Sequence, residues 1–344
     1  MNPSPRRILV IRRDNIGDLL CTTPLFRTLR THFPAAHITA LVNSYNAPAL
    51  LGNPDLDVVL VYEKAKHRSS SQSFWRWLAG RFRVMRALRY GQHDLVLIPS
   101  AGDTANALKF AKLTGAKTIV GYHLPAGVER YISVPAAAEG AHEVESVFRL
   151  LSILNIDTPP PAMVLAPDPT IVREMLARMH APSRENGSWI GLHISARKPQ
   201  QRWPVERFAA LARELISWGT DRILIFWAPG AADDPLHPGD DSKAEELKVA
   251  LAGLPISFLA TTRLEELIAG LSLCDRVICA DGGAMHIAAA LGKPIVCLFG
   301  NSDARRWHPW GVSHELLQKP GRNVMEISVA EVLEAHEKLS ARVG

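Results

Sequence analysis

The chain has 344 residues, a length that favours about two domains, and its 47% hydrophobic content suits a protein with a sizeable core. No uninterrupted apolar segment reaches the ~20 residues that span a bilayer, and the polar opening Met1 to Pro5, followed by a short apolar run, does not read as a secretory signal. Cys21, Cys274, Cys279 and Cys297 form no CxxC pair and have no histidine at zinc-ligand spacing, so they read as reduced, buried thiols suited to the cytosol.

In chain order, short β-branched runs alternate with helical patterns. Strands are expected at Ile8–Ile11, Ile38–Val42, Val58–Val61, Leu95–Ile98 and Thr118–Val120. The first helix shows Leu19, Phe26, Leu29 and Phe33 on one face, with Pro24 inside it as a kink or a delayed start. The stretch "DTPPPAMVLAPDPT", 157 to 170, holds five prolines and reads as a connector that cannot be helical. Beyond it, strands are expected at Ile190–Ile194, Ile223–Trp227, Ile256–Leu259, Val277–Ile278 and Ile295–Phe299. Helices fall between them at Val205–Trp218, Ser242–Ala252, Leu264–Leu273 and Gly283–Leu291, and a last one covers Val329–Leu339. Such alternation implies an α/β protein with parallel sheets. The expected layout is two Rossmann-like domains facing a central cleft, at 1–160 and 170–325, with 326–344 reaching back to the first domain.

The net charge of +5 is unevenly spread: Lys64 to Tyr90 carries eight Lys or Arg residues and no acid. Within it, Phe74, Leu78, Phe82, Met85 and Leu88 recur at helical spacing, with Arg76, Arg81, Arg83, Arg86 and Arg89 between them. One reading is a helix packed on its own domain with a solvated basic face. The other is a helix near a membrane surface or an anionic glycolipid. Nucleic acid is disfavoured, since no recognition motif accompanies the charge.

Two strand-to-helix turns stand out. "RRDNIGDLL", 12 to 20, places Asp14 and Asp18 where such turns commonly hold an anion. The helix dipole accounts for one acid there, though less readily for two. "CADGGAMH", 279 to 286, ends a strand and opens a helix with Asp281 expected as its N-cap. Gly282 and Gly283 would let a ligand approach the backbone, and His286 would reach a phosphate or ribose. A plain capped helix with a core-facing histidine explains the same residues. "DLD" at Asp55–Asp57 fits turn and strand-edge chemistry, and the Asp pairs at 233–234 and 240–241 read as solvated, so no catalytic metal is expected. No G-x-G-x-x-G fingerprint is present, which disfavours an oxidoreductase.

Three blocks in register, "NIGDLLCTTPLFRTLR", "QRWPVERFAALARELI" and "DGGAMHIAAALGKPIVCLFG", resemble glycosyltransferase family 9, the bacterial heptosyltransferases. The resemblance implies a GT-B fold and inverting, metal-independent transfer from ADP-heptose to a lipopolysaccharide inner-core acceptor, in the cytoplasm beside the inner membrane. It implies no cofactor. Asp18, after Gly17, matches the family's general base, with Asp14, Asn15 and Gly17 at the acceptor. Ser195, Arg197, Gln201, Asp281, Gly282, Gly283, Met285 and His286 match the donor loops, and Ser302, Asp303 and Arg306 are candidates for lining the cleft, with a plain surface loop as the alternative. Gln201 departs from the pattern, because many members carry a lysine two residues before Trp-Pro. Arg197 is the chosen substitute for that charge, with Lys198 and Arg202 as alternatives. The departure keeps open a transferase with another nucleotide-sugar or glycan, or a non-catalytic binder. Asp18 argues against a pure binder, which has no use for a carboxylate at the acceptor.

Overall fold

The structure, a computed structural model, describes residues 4–63, 74–100, 102, 104–179, 187–220, 222–234 and 238–343. It divides into two compact units, Met1–Val164 and Leu165–Gly344. In the first, β1 (Arg7–Ile11), β2 (His37–Asn43), β3 (Val58–Tyr62), β4 (Leu95–Ile98), β5 (Thr118–Gly121) and β6 (Tyr131–Ser133) form one parallel sheet in the order 3-2-1-4-5-6. In the second, β7 (Trp189–His193), β8 (Arg222–Trp227), β9 (Ile256–Ala260), β10 (Arg276–Ala280), β11 (Ile295–Phe299) and β12 (His314–Gln318) are ordered 12-11-10-7-8-9. Numbered from β7, this is the same doubly wound order. All ten expected strands are present. The two unforeseen ones, β6 and β12, are the last strand of each sheet, at an edge where residues are only partly covered and strong apolar runs are not required.

Central strands are covered on both faces, so they read as unbroken apolar runs. Ile8, Leu9, Val10 and Ile11 are all buried, each contributing about 1.5–3 kcal/mol. Pro24 has a clear consequence. The first helix is broken into α1 (Ile16–Leu20) and α2 (Thr23–His32), and the proline sits in the first turn of α2, where its missing N–H costs no helical bond. The connector is shorter than its prolines suggest: Asp168 caps Thr170 at 2.7 Å and α6 (Pro169–Arg178) starts on its last proline. Within the second unit, residues Val332, Ala335 and Leu339 of the terminal helix α12 (Val329–Val343) join the core with β11 and α7 (Val205–Ser217).

The basic segment is described from Phe74 onward, and Lys64 to Ser73 lie outside the described residues. Helix α3 (Phe74–Tyr90) forms as expected, but its inward face does not follow the expected stripe. Val84 and Leu88 are buried, whereas Leu78, Phe82 and Met85 face outward. Two apolar stripes share this helix, and periodicity alone cannot choose between them. Tertiary contacts do: Arg81 lies 4.8 Å over the Tyr62 ring of β3, fixing the rotation of the helix. Among the described residues, no helix is long and apolar enough to cross a membrane.

Each unit buries a histidine whose ring nitrogens lack partners, His93 (both nitrogens) and His336 (Nδ1). Burial, helped by Arg7 and His37 around His93 and by Arg276 near His336, pulls both down to about 4. Their stabilising effect is fully present above the ordinary value near 6.5 and is lost as pH falls through about 4. We expect urea midpoints to drop between pH 7 and pH 4.5, and His93→Gln and His336→Gln to flatten that loss by on the order of 2 kcal/mol apiece.

Candidate active site

In the first unit, the turn after β1 lies beside β4, where the strand order reverses and open α/β sheets place their ligands. Arg12 is the centre of this turn. Its guanidinium, 1% exposed, meets Glu143 Oε1 at 2.6 Å, Asp18 Oδ1 at 3.0 Å and Asp14 Oδ2 at 3.3 Å. Burial works against the charge, but Asp18, Glu143 and Asp14 outweigh it and hold Arg12 more firmly protonated than usual. Asp18 Oδ2 accepts from both the backbone N–H and the Nδ2 of Asn15, each at 3.1 Å, which caps the start of α1. Asn43 and Asn46 donate to the Asp14 carbonyl, each at 3.1 Å, and Asn43 donates to that of Arg13 at 2.9 Å, so the backbone of the turn is fixed from below.

Glu143 was not foreseen. It opens α5 (Glu143–Phe148), whose start is capped by the ring of His142 and whose middle receives the Tyr122 hydroxyl at the Ser146 carbonyl. The hydroxyl of Tyr122 is pushed up to about 12 by burial. Nothing local to Glu143 announces an ion pair 131 positions away.

In the second unit, the loops after β7 and β10 share the corresponding reversal point, and the loop after β11 joins them. Gln201, buried, donates to Asp281 Oδ2 at 2.7 Å and to Ser302 Oγ at 3.2 Å, linking all three. Gly300 allows this closeness, because a Cβ there would lie 2.4 Å from the Gln200 carbonyl oxygen. Ser195 accepts from Ala228 N–H at 3.0 Å, tying in the loop after β8. Lys243, from α8 (Asp241–Ala250), donates to the carbonyls of Ile194 and Trp203 at 3.0 and 2.7 Å, clamping both ends of the loop after β7. Burial brings that lysine down to about 8. It too was missed, since a lysine in a helix of mixed charge reads as solvated.

Asp281 does not cap the helix that follows. Gly282 occupies that position before α10 (Gly283–Ala290), and the Asp281 carboxylate turns to Gln201 instead. Burial raises its pKa, against the pull of Ser302, Lys198 and Gln201. Gly282 is exposed, with open space where a side chain would stand, and Gly283 is half-buried. The other two residues of this turn face inward. Met285 is fully buried with its sulfur 3.1 Å from Cys297 Sγ, and His286 is buried edge-on to Trp307 at 5.9 Å. A helix opening this close to the core turns its second and third side chains into it, so neither presents a free face. Arg197 is exposed, while the cation whose field acts on Asp281 is Lys198, and Arg202 donates to the Ala196 carbonyl at 3.0 Å. Asp303 caps α11 (Ala304–Trp307) and Arg306 lies 5.1 Å over the Trp307 ring.

Both aspartates of the "DLD" stretch have arginine partners, while Asp233 and Asp234 are exposed as expected. Asp55 pairs with Arg27 at 2.8 Å and Asp57 with Arg30 at 2.6 Å. Asp240 is buried, against expectation, and Asp241 accepts from Trp227 Nε1 at 2.8 Å and from Gly230 N–H at 2.9 Å. Gly239 N–H donates to the Ala231 carbonyl at 2.8 Å, so the Gly/Pro-rich loop folds back on itself, while Asp241 stays exposed as expected.

The family profile described as glycosyltransferase family 9 (heptosyltransferase) matches residues 81–332. The chain belongs to glycosyltransferase family 9. Membership makes it a glycosyltransferase, and the two doubly wound units are those of the GT-B fold. A relative in this family, lipopolysaccharide heptosyltransferase 3 of Escherichia coli, is 25% identical over 94% of this chain and 96% of its own. The family 9 glycosyltransferase structure from Veillonella parvula superposes with a TM-score of 0.80 at 22% identity, covering 98% of this chain and 97% of that one. The E. coli heptosyltransferase WaaC with ADP superposes at 0.75 and 19% identity, over 97% and 99%.

Proposed function

We propose that this family 9 enzyme transfers a heptose from ADP-heptose to a lipopolysaccharide inner-core acceptor, with inversion and without a metal, in the cytoplasm at the inner membrane. The carrying observation is the Asp18 carboxylate, oriented by Arg12 and Asn15 yet partly exposed at the sheet's reversal point. A carboxylate offers about four acceptor positions. Asn15 takes two on Oδ2 and Arg12 one on Oδ1, leaving a place on Oδ1 for the acceptor hydroxyl. As that oxygen bonds to the anomeric carbon, its proton passes to Asp18 and the ADP leaves from the opposite face. Asp14, Asn15 and Gly17 would border the acceptor.

On the donor side, the backbone at exposed Gly282 and half-buried Gly283 opens an eight-residue helix and suits a diphosphate, whose charge grows as it departs. Arg197 and Lys198 would supply cations near it, and Ser195 and Gln201 would hold the loop. Met285 and His286 would act from beneath, by packing α10 in place. The donor reading is supported by the likeness to the E. coli heptosyltransferase with ADP, and the acceptor reading by the name of the E. coli relative. Absence of a metal is supported by Asp55 and Asp57 being engaged with arginines.

The test is direct. Purified protein is offered ADP-heptose, UDP-sugars and GDP-sugars with delipidated core acceptor, and transfer is measured with and without chelator. ADP-heptose is the expected donor, with chelator having no effect; turnover only with another sugar, or none despite ADP-heptose binding, would sink the reading. Gln201 provides a finer check. Gln201→Leu strips a hydrogen bond from a buried carboxylate, a change of about 1.5–3 kcal/mol. ADP affinity by calorimetry should therefore fall by roughly tenfold or more, with little change in the acceptor KM.

A further inference from the structure

The outward face of α3 is an unusual surface. Trp75, Phe82 and Tyr90 are 74%, 70% and 74% exposed, and Leu78 and Met85 are also open. Trp75, Leu78, Phe82 and Met85 follow one another at three- and four-residue spacing, so they share one outward stripe. Arg76, Arg83, Arg86 and Arg89 are exposed beside them, and no acid occurs from Phe74 to Tyr90. The opposite face holds the helix to its unit through Val84, Leu88 and the Arg81 contacts. The exposed aromatic side chains are therefore not a core face left uncovered by a misplaced helix.

We propose that this face seats the protein on an anionic phospholipid bilayer, with the helix lying along the surface. Charge complementarity selects that occupant. Four arginines without an acid match a plane of phosphates, and the aromatic stripe beside them matches the apolar boundary beneath it. Indole and phenol rings fit the headgroup layer, where one side of the ring is apolar and the other wet. Arginine stems lie along the apolar stripe while their heads reach the phosphates. At 17 residues the helix offers about 25 Å of contact. This deepens the reading of a lipid-borne acceptor by naming the surface that meets its membrane.

Vesicle flotation of the full chain tests it without requiring turnover. Phosphatidylcholine vesicles containing phosphatidylglycerol should carry the protein, pure phosphatidylcholine should not, and salt should release it. At about fivefold per arginine, Arg83→Gln/Arg86→Gln should weaken binding roughly thirtyfold. Trp75→Ser/Phe82→Ser should weaken it about tenfold. Both variants should melt as wild type and transfer sugar to a soluble, delipidated acceptor at the wild-type rate. Equal flotation on neutral and anionic vesicles, variants that float as wild type, or a face taken up by a second copy or by an oligonucleotide instead of vesicles would overturn the proposal. Loss of transfer by the wild-type protein with flotation intact would overturn the functional reading and leave this one standing.

Discussion

Asp18→Asn is expected to lower turnover by ~10²–10⁴-fold, the range for removing a general base, while ADP-heptose affinity stays within about threefold, well under the ~1.4 kcal/mol that tenfold represents. The amide keeps the size of the side chain and loses the site that takes the proton. It also cannot keep every present partner: Arg12 and both Asn15 groups all donate to the carboxylate, and an amide nitrogen accepts from none of them. Some local stability should go with it, about 1 kcal/mol by analogy with a lost helix cap. That loss is too small to explain a large fall in kcat, and the melting curve separates the two. A residue that merely shaped the turn would show its loss in the melting curve and not in kcat. Turnover within threefold of wild type would refute the assignment.

The second large effect is expected on stability. Arg12→Leu removes the guanidinium that Glu143, Asp18 and Asp14 share, in a site where Glu143 is 4% exposed. Breaking a buried ion pair from one side costs about 3–5 kcal/mol, because the carboxylate stays behind in a poorly solvated place. For a protein of this size that corresponds to a fall of roughly 10 °C in melting temperature. Arg12→Leu/Glu143→Leu should recover most of it, since the buried carboxylate is then gone and Asp14 and Asp18 have access to water. Glu143→Gln should cost less than Arg12→Leu, as Arg12 keeps Asp14 and Asp18. Arg12→Leu also reports on positioning: with Asp18 less firmly held, kcat should fall more than the donor KM rises. An Arg12→Leu protein melting within about 1 kcal/mol of wild type would show that the cluster does not support the turn.

What the sequence by itself determined is set by local chemistry and by periodicity. The eight central strands were legible because a strand buried on both faces must be apolar throughout, and the edge strands β3 and β9 because they are still rich in apolar residues. The turns at Asp14–Asp18 and Asp281–Gly283 were legible because a strand leading into a helix opens backbone N–H groups to a ligand. Pro24 marked the break between α1 and α2 for a reason equally local, its missing donor.

Tertiary structure decided whatever depends on partners far apart in the chain. Strands β6 and β12 gain their identity from a neighbour, not from an apolar run. Arg12 and Glu143 meet across 131 positions, Gln201 and Asp281 across 80, and neither pair has a spacing that announces it. The Asp281 carboxylate was free to cap its own helix and was drawn to Gln201 instead, because three loops converge there. Helix α3 presents two apolar stripes of similar strength. Only the packing of Val84, Leu88 and Arg81 determined which was buried, and so left Trp75 and Phe82 facing out. Periodicity reports that a helix has an apolar side, whereas the direction that side faces is a property of everything it packs against.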